Sequence, residues 1–245
     1  MQNSQIKALA YELSLFGINE ALERRFFEAE QEGLSPAEVL LRLFDDEKQY
    51  RRNRMTKSLV TKAKFRRESL LENWDTTIDR GITKTKLREL ATLNVWTTKK
   101  NLILVGQTGC GKTQLAIALG RAACQLALTV LFVSVEQMFQ EAQSEKVAGT
   151  YAKWSRKMKK FDVMILDDFA LRPYTHDEGV LLVELFEDRY QKKIQIITSQ
   201  VDVEGWKTLF EDPVISDALI DRLKNPSERI LLTGGSYREK LGRAT

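Results

Sequence analysis

One eight-residue motif limits the folds open to this chain more than any other feature. Residues 106–113 read GQTGCGKT, the G-x-x-x-x-G-K-[ST] pattern of a phosphate-binding loop. An apolar run at 102–105 precedes the motif, and residues 114–126 have the apolar spacing of a helix. The glycines let backbone N–H groups close around an anion at a helix N-terminus, so this chemistry needs a strand before the loop and a helix after it. The motif therefore predicts a nucleotide-binding fold.

The polar residues of the motif have separate predicted roles. Lys112 reaches the β- and γ-phosphates of a nucleotide, and Thr113 offers its hydroxyl to Mg²⁺. The alternative is a glycine-rich turn that only joins a strand to a helix. The predicted cofactor-binding residues are Gly106, Gln107, Thr108, Gly109, Cys110, Gly111, Lys112, Thr113 and Gln114.

Strand-like and helix-like segments alternate from residue 101 onward. This alternation predicts an α/β fold whose parallel sheet is covered by helices on both faces. Such sheets bind ligands at the carboxyl ends of their strands, where the phosphate-binding loop falls. The predicted strands are 101–105, 129–134, 162–167, 194–198 and 229–233, and the predicted helices are 112–127, 136–158, 177–191 and 213–224.

Two carboxylates come directly after the third predicted strand. Residues 163–168 read VMILDD, the Walker B pattern of a buried strand that ends in acids. We predict that Asp167 holds Mg²⁺ and that Asp168 polarises the attacking water. Aspartate is shorter than the glutamate that many related ATPases place at the second position, so its carboxylate extends less far from the strand. The alternative is a pair of aspartates that open a loop.

Three further positions are candidates for sensing or stabilising phosphate charge. The strand 194–198 ends in Thr198-Ser199-Gln200, and we favour one of the two hydroxyls over the amide. Arg222 is a candidate arginine finger if a neighbouring subunit inserts it, and Arg238 is a candidate contact to the nucleotide of its own subunit. The alternatives are a capped strand end and two surface ion-pair residues.

The charge of the chain is unevenly distributed. Residues 1–47 hold four basic and ten acidic side chains, whereas residues 48–67 hold nine basic side chains and no acidic one. A stretch with only positive charge beside a nucleotide-binding core favours a polyanionic partner, and nucleic acid is the first candidate. The alternative is a charged surface helix that pairs with the acidic first segment. The predicted DNA contacts are Arg51, Arg52, Arg54, Lys57, Lys62, Lys64, Arg66 and Arg67, followed by Lys153, Arg156, Lys157, Lys159 and Lys160 on a second basic helix.

The residues before the core are predicted to form a helical unit and a connector. Apolar spacing indicates helices over 5–29, with a break at Gly17. A further helix is predicted to begin at Pro36, with Ser35 as its N-cap, and to continue into the basic stretch. We expect a helical domain at 1–66 for oligomerisation, DNA or partner binding, a connector at 67–100 with a helix near 85–93, and the ATPase domain at 101–245.

Composition argues against several classes of protein. No apolar run approaches the ~18 residues of a membrane helix, and the N-terminus lacks the layout of a signal peptide, so we expect a cytoplasmic protein without membrane contact. The two cysteines, Cys110 and Cys124, have neither metal nor redox spacing. A single histidine argues against histidine-rich metal sites.

Five segments together resemble a known family. The segments GQTGCGKTQLAIALGRAAC, MILDDFALRP, ITSQVDVEGW, DPVISDALIDRL and GGSYR are similar to those of the AAA+ ATPase IstB, the transposition helper that insertion sequences encode beside a transposase. The resemblance covers nearly the whole chain and is looser at the N-terminus. That family shares its ATPase core with the DnaC and DnaI helicase loaders and with the initiator DnaA.

The resemblance implies an AAA+ core with a helical N-terminal domain, ATP and Mg²⁺ as cofactors, and ATP-dependent self-assembly on duplex DNA. It also implies DNA bending, recruitment of an IstA-like transposase and stimulation of strand transfer. By this resemblance Lys112, Asp167 and Asp168 are catalytic. Ser199 and Gln200 fall at the sensor I position. Arg222 is the arginine finger that acts on a neighbouring subunit, and Arg238 is the sensor II residue. Two alternatives stay open at this point, a helicase loader that binds single-stranded DNA and a nucleotide-gated scaffold with negligible turnover.

Overall fold

The chain forms two compact units in a computed structural model that describes residues 2–92 and 96–234. The first unit is Met1–Ser58 and the second is Leu59–Thr245. The division falls inside a long helix and eight residues before the domain boundary expected at residue 66. Arg238, the sensor II candidate, lies outside the described residues.

Three helices build the first unit: α1 (Gln2–Glu12), α2 (Phe16–Glu32) and α3 (Pro36–Lys62). Ser35 and Glu38 form a reciprocal cap at the start of α3, since each side chain accepts a hydrogen bond from the other's backbone N–H. This arrangement confirms the predicted start of the helix. A small apolar core that includes Ile18, Leu22 and Leu43 closes the unit.

The predicted break at Gly17 is wrong. The chain turns three residues earlier, where Ser14 has a φ of 57°, and Gly17 is the second residue of α2. A Cβ at Gly17 would lie 2.6 Å from the Cα of Glu47, and the Glu47 carboxylate accepts hydrogen bonds from the N–H groups of Gly17 and Ile18. Glycine therefore serves a close approach between α2 and α3 rather than a turn.

A five-stranded parallel sheet in the order β2-β3-β4-β1-β5 forms the centre of the second unit. The strands are β1 (Asn101–Gly106), β2 (Val130–Ser134), β3 (Val163–Phe169), β4 (Ile194–Ser199) and β5 (Ser227–Leu232). The helices are α4 (Lys84–Leu90), α5 (Lys112–Gln125), α6 (Val135–Val147), α7 (Tyr151–Lys160), α8 (His176–Arg189), α9 (Val203–Trp206) and α10 (Pro213–Lys224).

Alternate residues of each central strand enter two apolar cores, one on either face of the sheet. In β1, Ile103 and Val105 belong to a core that α6, α7, α8 and α10 share, while Leu102 and Leu104 belong to a core around α5. Burial on both faces is why these strands are continuous apolar runs in the sequence. The predicted doubly covered parallel sheet is confirmed.

Two segments differ from the sequence-based expectation. The helix predicted over 136–158 is two helices, α6 and α7, because Gly149 ends the first one with a φ of 69°. The segment expected to be a connector, 67–100, packs Trp74, Leu87 and Leu90 into the core around α5. Among the residues that the structure describes, no helix is long and apolar enough to cross a membrane.

Candidate active site

The phosphate-binding loop lies between the end of β1 and the start of α5, as its sequence predicts. Gly109 and Gly111 have φ values of 85° and 102°, which L side chains rarely adopt. A Cβ at Gly106 would lie 2.3 Å from the carbonyl oxygen of Leu232, so glycine is also required where β1 ends. The glycines thus permit the turn and the close packing that leave the loop's backbone open to an anion.

The Lys112 side chain is held inside this loop. Its Nζ donates to the carbonyl oxygens of Gly106, at 2.7 Å, and of Gln107, at 2.9 Å. Lys112 is the first residue of α5, so its ammonium lies at the positive end of the helix dipole. Two positive features at one point make the loop a site for a multiply charged anion such as a nucleotide's phosphates.

A cluster of one carboxylate and two hydroxyls lies beside the loop. Asp167, 2% exposed, accepts hydrogen bonds on Oδ1 from the hydroxyls of Thr113, at 2.8 Å, and Thr198, at 2.7 Å. The predicted pairing of the two motifs is therefore present. A carboxylate and a hydroxyl are ligands that Mg²⁺ prefers, and this ion commonly completes its shell with water and substrate phosphates, so Thr113 and Asp167 fit the predicted metal.

The second carboxylate leaves the sheet at an irregularity. The β3–β4 register shifts between Leu166 and Phe169, and Asp168 has a φ of 58°. The Asp168 N–H donates to the Thr198 hydroxyl at 3.0 Å, while the exposed side chain lines the cavity beside the loop. This bulge places the two consecutive acids in different surroundings, the first buried and the second at the cavity.

The structure brings Thr198 and Gln200 to the site and leaves Ser199 out of it. The Ser199 hydroxyl donates to the carbonyl oxygen of Val201 and accepts from the indole N–H of Trp206, at 2.7 and 3.1 Å. Gln200 lines the cavity, and its Oε1 accepts from the hydroxyl of Thr108 at 2.8 Å. Successive strand residues face opposite sides, which separates residue 198 from residue 199.

The cavity also contains residues that the sequence does not assign to it. Arg67 and Glu68, from the segment after α3, line it together with the loop. The position of Arg67 is not predicted because the uniform charge of the basic stretch favours DNA contacts throughout, and Glu68, the residue after that stretch, belongs to no motif. The residues that line the cavity are Arg67, Glu68, Thr108, Gly109, Gly111, Lys112, Thr113, Gln114, Asp168 and Gln200.

Arg222 lies near the start of β1, at the end of the strand opposite the phosphate-binding loop. Its guanidinium is paired with Glu187 and donates to the carbonyl oxygen of Ala218 at 2.6 Å, and its own carbonyl accepts from the side chain of Asn101. Asn101 begins β1, whose other end carries the phosphate-binding loop. Five residue steps of strand separate the two ends by about 17 Å. In this structure Arg222 therefore does not reach the phosphate-binding loop of its own subunit.

The predicted DNA contacts fall into several environments. Arg51 is paired with Glu47, at 2.6 Å, while Arg54 and Arg66 lie over the rings of Phe16 and Phe132. The members of the first stretch that are exposed and lie outside both the cavity and these contacts are Arg52, Lys57, Lys62 and Lys64.

One face of α7 is uniformly basic. Lys153, Arg156, Lys157 and Lys160 are all exposed and recur at helical spacing. Lys159 differs, since its ammonium is 2.6 Å from Asp188 and 3.3 Å from Glu184. The structure thus supports four of the five predicted cations of this helix as a common surface and leaves Lys159 as a structural ion pair.

Comparison with known proteins gives the family. A profile described as IstB-like ATP binding protein matches residues 8–244. An insertion sequence ATP-binding protein of Sinorhizobium fredii is 33% identical over 226 residues, which make up 92% of both chains. The ATP-binding protein of insertion sequence IS21 from Pseudomonas aeruginosa is 30% identical over 236 residues, 96% of this chain and 89% of that protein.

Solved structures share the fold of about three quarters of this chain. DnaI superimposes with a TM-score of 0.58 at 20% identity, covering 74% of this chain and 92% of DnaI. AMPPCP-bound DnaA from Aquifex aeolicus superimposes with a TM-score of 0.59 at 20% identity, covering 74% of this chain and 55% of DnaA. The fold is therefore that of the AAA+ P-loop proteins, and the chain belongs to the family of IstB-like ATP-binding proteins.

Proposed function

We propose that this IstB-like AAA+ ATPase uses ATP and Mg²⁺ to assemble on duplex DNA, remodels that DNA, and recruits and stimulates the transposase of its insertion sequence. The observation that carries the proposal is the separation of Arg222 from the phosphate-binding loop across the length of β1. One subunit supplies the loop and the acids, and a second supplies the arginine. Hydrolysis is thereby tied to assembly.

Within one subunit, each side chain of the site has a distinct task. The loop's backbone and Lys112 bind the phosphates, while Thr113 and Asp167 hold the Mg²⁺ that neutralises phosphate charge when MgATP is bound. Asp168 orients the attacking water at the cavity. Thr198 fixes the Asp167 carboxylate and the backbone of Asp168 at once, so it acts as a positioning residue.

The second subunit supplies positive charge to the transferring phosphate. An arginine that reaches the site from a neighbour stabilises the charge of the transition state, as arginine fingers do in other nucleotide hydrolases. Its ion pair with Glu187 lies at the surface, where such a pair is worth little, so exchange of that carboxylate for a neighbour's phosphate is inexpensive. Turnover should therefore rise with assembly.

Duplex DNA is the proposed template for that assembly. The exposed cations of α7 and of the stretch after residue 48 are suited to phosphate contacts, which carry no sequence information. Binding should weaken steeply with salt and show little sequence preference. Simultaneous replacement of Lys153, Arg156, Lys157 and Lys160 by alanine should flatten the salt dependence, whereas Lys159→Ala, the matched control, should not.

ATP-dependent binding to matched duplex and single-stranded DNA, with sizing of the complexes, tests this function. Large assemblies on the duplex that require ATP are expected, and Asp168→Asn should trap them. Monomers of that variant on DNA would contradict the proposal. Preference for single strands, together with co-purification of a hexameric helicase, would replace it with a helicase loader, and absence of turnover would replace it with a nucleotide-gated scaffold.

A further inference from the structure

The segment that leaves α3 is attached to the ATPase unit at successive points. The carbonyl oxygen of Ala63 accepts a hydrogen bond from the N–H of Phe132 at 2.9 Å, which joins the segment to the edge strand β2. The ring of Phe65 then lies on α5. A Cβ added to Gly120 would be 2.9 Å from that ring, so glycine is what allows the contact.

The same segment is next fixed to the first turns of α5. The hydroxyl of Ser69, which is 5% exposed, donates to the carbonyl oxygen of Gln114 at 3.0 Å. Glu68 forms an ion pair with Arg121 at 3.1 Å. Gln114 is the residue after the phosphate-binding motif, so this attachment lies next to the loop itself.

Arg67 lies between these attachment points. Its backbone is held by Phe65 on one side and Ser69 on the other, and its side chain lines the cavity together with Gly109, Lys112 and Thr113. Within residues 2–92 and 96–234, no carboxylate forms an ion pair with it. A guanidinium in this position faces an anion-binding cavity with its charge available.

We infer that Arg67 contacts the phosphates of the bound nucleotide, as a second cation beside Lys112, and that it is not a DNA contact. This inference rests on the proposed nucleotide site. A guanidinium forms paired, charge-assisted hydrogen bonds with phosphate oxygens, whereas an ammonium acts as a point charge.

Calorimetric titration of the full chain with MgATP in the absence of DNA tests the inference. Arg67→Ala should weaken ATP binding by about tenfold or more, the range of one charge-assisted hydrogen bond, and Arg67→Lys should fall between Arg67→Ala and the wild type. Arg88→Ala removes one exposed arginine outside the cavity, in α4, and should bind ATP as the wild type does. Lys112→Ala should not bind ATP.

The outcomes separate this inference from the proposed function. If Arg67→Ala binds ATP as tightly as the wild type while Lys112→Ala does not bind, Arg67 is no part of the site and the nucleotide site stands. If the wild type itself does not bind ATP, the nucleotide site and the inference both fail. Equal losses in Arg67→Ala and Arg88→Ala would reduce the effect to net charge and overturn the contact.

Discussion

Replacement of Thr198 by valine tests how the site is assembled. The Thr198 side chain is fully buried, and its hydroxyl makes two hydrogen bonds, one given to Oδ1 of Asp167 and one received from the N–H of Asp168. Valine keeps the branched shape and substitutes a methyl group for the hydroxyl. The change therefore removes the link between the metal-binding carboxylate and the backbone of the water-orienting aspartate.

The size of the effect is set by these two bonds. A hydrogen bond to a charged group is worth about 1.5–3 kcal/mol, and the Asp168 N–H would be left without its partner. If that energy serves to hold the site in its productive geometry, turnover falls by about 10- to 150-fold. ATP affinity should change little, because the loop and Lys112 keep their own hydrogen bonds.

The effect of Thr198→Val is measured as steady-state ATP hydrolysis on duplex DNA. ATP affinity and thermal unfolding are measured in parallel. Ser199→Ala is the matched control, since it removes a buried hydroxyl one residue away that bonds to Val201 and Trp206. The control should lower the unfolding temperature and retain turnover. Wild-type turnover in Thr198→Val, with a loss in Ser199→Ala at unchanged stability, would refute the assignment of Thr198.

Three further predictions concern the packing that supports the site. Gly120→Ala should lower the free energy of unfolding by about 1–3 kcal/mol in urea titrations, since the new Cβ would lie 2.6 Å from Cδ1 of Ile165 and 2.9 Å from the ring of Phe65; unchanged stability would contradict this close packing. Arg189→Met should cost about 3 kcal/mol or more in the same assay, because the buried guanidinium donates to four carbonyl oxygens around α7 and β4, and a loss below about 1 kcal/mol would contradict this. Burial raises the pKa of the Cys124 thiol to about 11 from 9.0, so the unfolded thiol ionises first and stability should fall as pH rises from about 9 towards 11; a Cys124→Ala variant with the same pH profile would contradict it.

The sequence predicts the sheet well because strands buried on both faces read as uninterrupted apolar runs. The runs at 163–166 and 102–105 each determine one strand, and the motif after each run determines the loop at its carboxyl end. The helix boundaries are less well predicted. Gly17 serves a close helix–helix approach and Gly149 ends a helix, yet both are isolated glycines in helical patterns. Only tertiary packing distinguishes the two roles.

The sequence predicts those parts of the candidate site that belong to a recognised motif. The pairing of Thr113 with Asp167 is expected from two motifs whose geometry is shared by P-loop proteins. The choice between Thr198 and Ser199 depends on the phase of β4, which the sequence does not fix, since both faces of the strand are buried. The sequence assigns Arg67 to DNA because it belongs to a run of like charge, and only the tertiary structure shows that its side chain lines the cavity.

Mixing two inactive variants tests most directly whether the site is completed by a second subunit. Asp168→Asn keeps Arg222 and loses the water-orienting acid, while Arg222→Ala keeps that acid and loses the arginine. Each variant alone should bind ATP and hydrolyse almost none. In an equal mixture on duplex DNA, random assembly restores complete sites at about a quarter of the interfaces, so turnover should approach a quarter of the wild-type rate. An inactive mixture of variants that co-assemble, or wild-type turnover by Arg222→Ala alone, would contradict the account.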